Sequence, residues 1–348
     1  MSIVKTDMID IDHILLTFPW IPRRMSILKN HYHLLFLLFL TLALPISISA
    51  QTDVSPTNSP KATPPAASKL LSGSKEKIVN LHDVVIGKGG KQDLHADIAY
   101  PADSATSLPA IIYIHGGGWF KGSYKSPLLV RTAMSGYFVA SVEYRLSNVA
   151  KWPAQIQDCK LAVRWARANA AKYNINPDRI GVWGASAGGH LVACLGTMND
   201  AKYEGDGGYP GVSSSVQAVV DFYGPVDFTH PAIYSPSAIK MTEGLFGVPF
   251  EKNPDLWKSG SPLFFVKPSD PPMLLVHGDS DTLVPTAQST AFDEALTKAG
   301  VPHRLLLVKN AEHDLKPKPG TTIDPSYQDV LKDVVDFFDK YLKSPEAK

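Results

Sequence analysis

Cysteine is almost missing: Cys159 and Cys194 are the two in a chain of 348 residues. Two cysteines exclude a disulfide framework, and both fall inside apolar helical patterns, as buried thiols do; a bridge between them in an oxidising compartment is the alternative. An excess of either charge is missing as well. The 34 Lys and Arg stand against 33 Asp and Glu, a net charge of +1, which leaves no basic footprint for a nucleic-acid backbone. Long hydrophobic runs are absent: the longest, residues 34–44 (LLFLLFLTLAL), falls well short of the roughly 20 residues of a membrane span. No internal repeat occurs at solenoid or propeller periods.

That run belongs to an expected export signal in residues 1–50. Lys29, His31 and His33 form the basic end, residues 34–44 the apolar stretch, and residues 45–50 (PISISA) a small-residue cleavage region. Met25 is an alternative start, which would make residues 1–24 an artefact or an extended basic end; an uncleaved signal anchor is the competing reading. No Cys directly follows the apolar stretch, so a lipid-anchored lipoprotein is not expected. A secreted or periplasmic protein is expected, without stable membrane insertion once the signal is removed. Residues 51–75, with Pro56, Pro60, Pro64 and Pro65 among Ser, Thr and Ala, hold too little apolar surface to fold and read as a disordered linker.

From residue 76 to about 345 the pattern becomes that of one large domain. Residues 77–86 and 94–100 flank Gly87-Lys88-Gly89-Gly90, the signature of an antiparallel hairpin. Residues 110–114 (AIIYI) and 138–142 (FVASV) are short apolar runs expected of strands buried on both faces. After Pro153 the apolar residues Ile156, Cys159, Val163, Ala166 and Ala170 recur at helical spacing. Strand and helix then alternate: strand 179–183, helix 187–198, strands 216–223 and 273–276, helix 286–298, strand 304–308, helix 327–342. Such alternation predicts an α/β fold with a mostly parallel sheet and helices on both faces. Residues 225–270, rich in Pro and aromatics, are too long for an ordinary crossover and read as a small lid-like insertion.

Within this frame Gly184-Ala185-Ser186-Ala187-Gly188 joins a strand to a helix, the context in which a sharp turn exposes a nucleophilic serine. A serine hydroxyl needs a base, and the base needs a carboxylate to fix its tautomer. Asp281, in the loop His277-Gly-Asp-Ser-Asp-Thr-Leu-Val-Pro285, is the expected acid, with Asp279 as the alternative; His313, after the last strand, is the expected base. The order Ser186, Asp281, His313 is the one this fold requires. His115-Gly116-Gly117-Gly118-Trp119 follows the third strand, where a glycine-rich loop supplies backbone N–H groups to an oxyanion. Gly117, Gly118 and Ala187 are the expected donors.

Together, HGGGW, Glu143-Tyr-Arg-Leu146, GASAGGH, HGDSDTLVP and the final His313 resemble the α/β-hydrolases near the hormone-sensitive-lipase-like esterases. Trp152-Pro-Ala-Gln155 with Asp158, the stretches 204–206 and 212–214, and Asp221-Phe-Tyr-Gly-Pro225 resemble more closely the bifunctional feruloyl/acetyl-xylan-esterase-like branch. The resemblance runs from about residue 77 to 342. Glu143 departs from it where many relatives carry Asp, and Glu312 where a Gly is frequent.

It implies an α/β-hydrolase fold and a serine ester hydrolase working through an acyl-enzyme on acetyl or feruloyl esters of plant polysaccharide, with no metal or cofactor. A general short-chain carboxylesterase is the first alternative; a catalytically inactive binding protein on the same fold would lack a triad member. His115 is expected to brace the oxyanion loop and His190 to pack on the nucleophile helix, Arg145 to form a salt bridge between loops, and Asp221 and Asp227 stand as alternative acids. Trp119 is the candidate substrate-binding residue, with Phe120, Tyr203, Tyr209 and Trp257 as further aromatics for an acyl or sugar pocket. Nothing in the sequence specifies an oligomeric state.

Overall fold

Ile111 and Ile112 are neighbours on one strand, both almost wholly buried, yet they belong to different cores. That is what a strand covered by helices on both faces requires. The structure, a computed structural model, describes residues 77–343. The expected export signal and linker lie outside the described residues.

Eight strands form one sheet among the described residues: β1 (Ile78–Gly89), β2 (Gln92–Pro101), β3 (Leu108–Ile114), β4 (Phe138–Val142), β5 (Ile175–Ala185), β6 (Ala218–Phe222), β7 (Met273–Gly278) and β8 (His303–Val308). Their order is β1-β2-β4-β3-β5-β6-β7-β8. β1 and β2 form the expected hairpin, β2 meets β4 antiparallel, and every pairing from β4 to β8 is parallel.

The helices are α1 (Leu128–Ala133), α2 (Ala154–Ala168), α3 (Ala170–Tyr173), α4 (Ala187–Thr197), α5 (Pro236–Phe246), α6 (Pro254–Ser259), α7 (Ala287–Ala299) and α8 (Tyr327–Phe338). Ile112, Val182, Val219 and Leu275 pack with Ile156 and Val163 of α2, Leu191 and Leu195 of α4, and Phe292 and Leu296 of α7. Ile111, Trp183, Val220 and Leu274 pack on the other face with Leu129 of α1 and Val330, Val334 and Phe338 of α8. This is the α/β-hydrolase arrangement.

The structure differs from the sequence reading in detail. β5 starts four residues before Arg179, because Ile175 pairs with Leu108 across a register shift. The last helix stops at Phe338 and continues as a π-helical turn, Asp339–Lys343. α1 was not anticipated; its six residues are too short to show a helical period.

The insertion between β6 and β7 is packed down as well as inserted. α5 begins with the Ser235 hydroxyl accepting from the Ala238 N–H, has Pro236 in its first turn, and ends on Gly247 in the left-handed region. Phe228, Tyr234, Leu245, Phe246 and Trp257 are buried in the larger core, each ring worth on the order of 2–3 kcal/mol. Trp152 ties the insertion to the start of α2, its backbone N–H donating to Leu245 O and its indole N–H to Ser259 Oγ.

Candidate active site

Ser186 occupies the turn between β5 and α4 at φ 57°, ψ −118°, a region that a residue with a side chain rarely adopts. The turn is held from both sides. The Ser186 N–H donates to Phe222 O at 2.8 Å, and its carbonyl accepts from the His190 N–H at 2.9 Å. Side chains are excluded next to it: a Cβ on Gly188 would lie 2.1 Å from Ile114 O, and one on Gly184 2.2 Å from Gly188 O. The flanking small residues are therefore a requirement of the turn, and the turn lifts the hydroxyl clear of the sheet.

His313 and Asp281 come to it from the C-terminal ends of β8 and β7. The His313 Nε2 lies 3.0 Å from Ser186 Oγ, and its Nδ1 2.7 Å from Asp281 Oδ2. With the proton on Nδ1, His313 donates to the carboxylate and accepts from the serine hydroxyl. Asp281 has a fully buried side chain, and its Oδ1 accepts from the N–H groups of Leu283 and Val284 at 2.8 and 2.9 Å. Burial opposes its charge, but the neighbouring His277, the hydrogen bond and charge of the His313 imidazole and the Val284 N–H outweigh it and hold the carboxyl well below the usual carboxylate range.

The glycine loop after β3 lies against the nucleophile, so close that a Cβ on Gly116 would come within 3.4 Å of Ser186 Cβ. Gly117 and Gly118 have φ of 112° and 59°, and the Gly117 carbonyl accepts from the N–H groups of Phe120 and Lys121. Among the described residues no backbone carbonyl accepts from the N–H of Gly117 or Gly118. Ala187 opens α4, where an N–H has no acceptor within the helix. His115 sits beneath the loop: its Nδ1–H donates to Gly116 O at 2.8 Å and its ring stacks on Tyr144 with centroids 4.4 Å apart.

Trp119 is corrected by the structure. It is only 4% exposed, its indole N–H donates to His190 Nδ1 at 3.2 Å, and its ring packs edge-on against Phe228. At φ 62° the backbone turns this side chain into the core, so it is not a wall of a substrate pocket. Tyr203 and Trp257 are buried too, and Tyr209 packs partly buried against the core. His190 passes the hydrogen bond on from Nε2 to Gly260 O, and burial pushes its imidazole down to about 4. The apolar side chains that do flank the loop are Phe120, which is exposed, and Met241 of α5. A Cβ on Gly118 would lie 2.6 Å from Met241 Sδ and 3.0 Å from Phe120 Cε1.

The remaining candidates are engaged elsewhere. Arg145 makes a two-pronged pair with Asp158, Nη2 to Oδ1 at 2.7 Å and Nε to Oδ2 at 2.8 Å, so its guanidinium is occupied. Asp279 is exposed and accepts from Ser280 Oγ. Asp227 accepts from Thr229 and faces His230, and Asp221 accepts from the Gly224 N–H. Cys159 and Cys194 are buried and unbridged. Among the described residues no group of three His, Cys, Asp or Glu is arranged to hold a metal ion, and no helix is long and apolar enough to cross a membrane. Tyr223, which the sequence offers only as part of Asp221-Phe-Tyr-Gly-Pro225, joins the site: its ring lies edge-on to His313 with centroids 4.8 Å apart, at a strained φ of 43°.

A serine, a histidine and a buried carboxylate in hydrogen-bonded sequence at the strand ends of such a sheet define the site of an α/β-hydrolase. The comparisons narrow this to a family. The BD-FAE profile matches residues 96–296, and the chain belongs to the BD-FAE family. Esterase LipQ of Mycobacterium tuberculosis is 35% identical over 225 residues, covering 63% of this chain and 53% of LipQ. Among solved structures, a truncated carbohydrate esterase from gut microbiota superposes with a TM-score of 0.66 at 34% identity, over 76% of this chain and 96% of that one. An acetyl ester-xyloside bifunctional hydrolase from Caldicellulosiruptor lactoaceticus superposes with a TM-score of 0.56 at 31% identity, over 64% and 80%. The chain spans a little over half the length of the curated relatives LipQ and LipC.

Proposed function

We propose that this protein is a serine carboxylic ester hydrolase that works through an acyl-enzyme. The observation that carries the reading is the line of contacts from Ser186 Oγ to His313 Nε2 at 3.0 Å and from His313 Nδ1 to Asp281 Oδ2 at 2.7 Å. Ser186 attacks the ester carbonyl while His313 takes its proton. The Asp281 carboxylate holds the ring in the required tautomer and offsets the imidazolium charge. The N–H groups of Gly117, Gly118 and Ala187 receive the oxyanion, each such donor contributing on the order of 100–1,000-fold in rate. His313 then protonates the leaving alcohol, and a water deprotonated by the same ring releases the acid. Every proton in this cycle moves through His313, so no cofactor is called upon.

For the substrate we propose acetyl or feruloyl esters of plant polysaccharide, met after export to the periplasm or outside the cell. Support comes from membership of the BD-FAE family and from likeness to two carbohydrate-active hydrolases. A second reading, a short-chain carboxylesterase, is favoured by the likeness to LipQ and by the apolar pair Phe120 and Met241 beside the loop. Acid release from acetylated xylan, feruloylated arabinoxylan fragments and p-nitrophenyl acetate separates the two. A far higher kcat/KM on the polysaccharide esters supports the first, and turnover of the synthetic ester alone supports the second.

A further inference from the structure

His277 closes β7 four residues before Asp281, and both side chains are fully buried. Its Nε2 lies 2.9 Å from Val284 O and 3.3 Å from Asp281 Oδ2, and its Nδ1 2.5 Å from Ser289 Oγ on α7. A carbonyl oxygen can only accept, so Nε2 carries a proton, which it donates to Val284 O with the Asp281 carboxylate 3.3 Å away, and Nδ1 is left to accept from the Ser289 hydroxyl. Asp281 then accepts three hydrogen bonds, from Leu283 N–H and Val284 N–H on Oδ1 and from His313 Nδ1–H on Oδ2, and the His277 Nε2–H stands beside that Oδ2.

We infer that His277 is a positioning residue of the proposed reaction. It fixes the Asp281 carboxylate so that Oδ2 meets His313, and its Nε2–H, the positive end of an N–H dipole 3.3 Å from that oxygen, loosens the carboxylate's hold on the His313 proton. The chain of contacts from Ser289 through His277, Asp281 and His313 to Ser186 thus extends the triad inward by two residues. The inference rests on the triad reading above.

Other groups face this pair. Tyr223, after β6, lies edge-on to His313 and has its ring centroid 6.4 Å from that of His277. The buried Asp221 of β6 also lies near His277. Glu312 and Asp314 flank His313 on its own loop. None of these places an N–H beside Oδ2, so removing His277 has a distinct signature. A carboxylate relieved of that N–H binds the His313 proton more tightly, the base is protonated at higher pH, and the acidic limb of the activity profile moves up.

The test compares the full chain as wild type, His277→Phe and His277→Gln on p-nitrophenyl acetate across pH, with phosphonate labelling of Ser186 alongside. Phe keeps the ring volume without a donor, whereas Gln brings an amide N–H close to where Nε2 lies. In the Phe variant the acidic limb of kcat/KM is expected to rise by about half a pH unit or more, with kcat about tenfold lower and KM within about twofold. Gln is expected to return both to within about threefold of wild type. The same pH midpoint in all three proteins, with only thermal stability changed, overturns the inference and leaves His277 a structural tie. A wild type that neither turns over ester nor labels overturns the proposed function, and the inference with it. Should His277→Phe fail to fold, neutron diffraction on the wild type decides: deuterium on Nε2 between Asp281 and Val284 supports the inference, and deuterium on Nδ1 alone overturns it.

Discussion

Gly188, at the start of the nucleophile helix, and Ile114, at the end of β3, touch so closely that a Cβ on the glycine would sit 2.1 Å from the isoleucine carbonyl oxygen. This contact seats α4 against the sheet and sets the height of Ser186. Gly188→Ala must push helix and strand apart, at a cost on the order of 1–3 kcal/mol, and tilt the serine away from His313. A lower melting temperature and a loss of at least about 100-fold in kcat are expected. Wild-type kcat in a folded Gly188→Ala protein would contradict this account of the turn.

Met241 is the side chain that the insertion brings to the oxyanion loop. Met241→Ala opens space beside Gly118 and is expected to favour longer acyl chains. The ratio of kcat/KM for p-nitrophenyl hexanoate over acetate should rise about tenfold, the scale of a few methylenes in an apolar pocket. An unchanged ratio places the acyl group elsewhere.

Asp221 lies buried beneath the start of α4, and burial raises its carboxyl to about 6 from the usual 3.8, against the Gly224 N–H and His277 that lower it. The folded state therefore binds this proton more tightly than the unfolded state, and stability falls as pH rises from about 4 to about 6. Asp221→Asn does not titrate and keeps an acceptor for Gly224. The melting temperature of the variant minus that of wild type is expected to increase across that window, by the equivalent of at most roughly 2–3 kcal/mol. A difference that stays flat with pH would show Asp221 ionised at its ordinary value. Asp281 runs the other way, its carboxyl held low, so the stability it lends is present above about pH 4 and is lost as pH falls below it.

Asp281→Asn is expected to leave the fold intact and lower kcat on the order of 10,000-fold, because an amide presents His313 with the wrong tautomer partner. Circular dichroism and thermal melting check the fold, and steady-state kinetics the rate. A loss of only a few fold would move the acid to another residue.

Much of this was legible in the sequence because the decisive features are local. A glycine-flanked serine between an apolar strand and an apolar helix has one geometry available, and the parity of Val219 and Val220 or Leu274 and Leu275 assigns each to a core. The order of Ser186, Asp281 and His313 then follows the strand order. Trp119 was misjudged because a loop has no period: whether its ring points in or out depends on a φ of 62° that composition does not disclose. The places of Met241 and Tyr223 in the site are hidden from the sequence for a related reason. One is set by the packing of an irregular insertion and carries no motif; the other lies in Asp221-Phe-Tyr-Gly-Pro225, but it is a left-handed turn after β6 that brings its ring to His313. His277 was in plain view in the loop motif, but its contacts with Ser289 and Val284 depend on how α7 folds back on β7.

Covalent labelling decides whether Ser186 is the nucleophile. The full chain, wild type and Ser186→Ala, is treated with a fluorophosphonate and mapped by peptide mass spectrometry while ester turnover is followed. A single adduct on Ser186 is expected, with loss of turnover in step with labelling and neither adduct nor turnover in the alanine variant. An unlabelled wild type, an adduct on another residue, or ester hydrolysis retained by Ser186→Ala would contradict it.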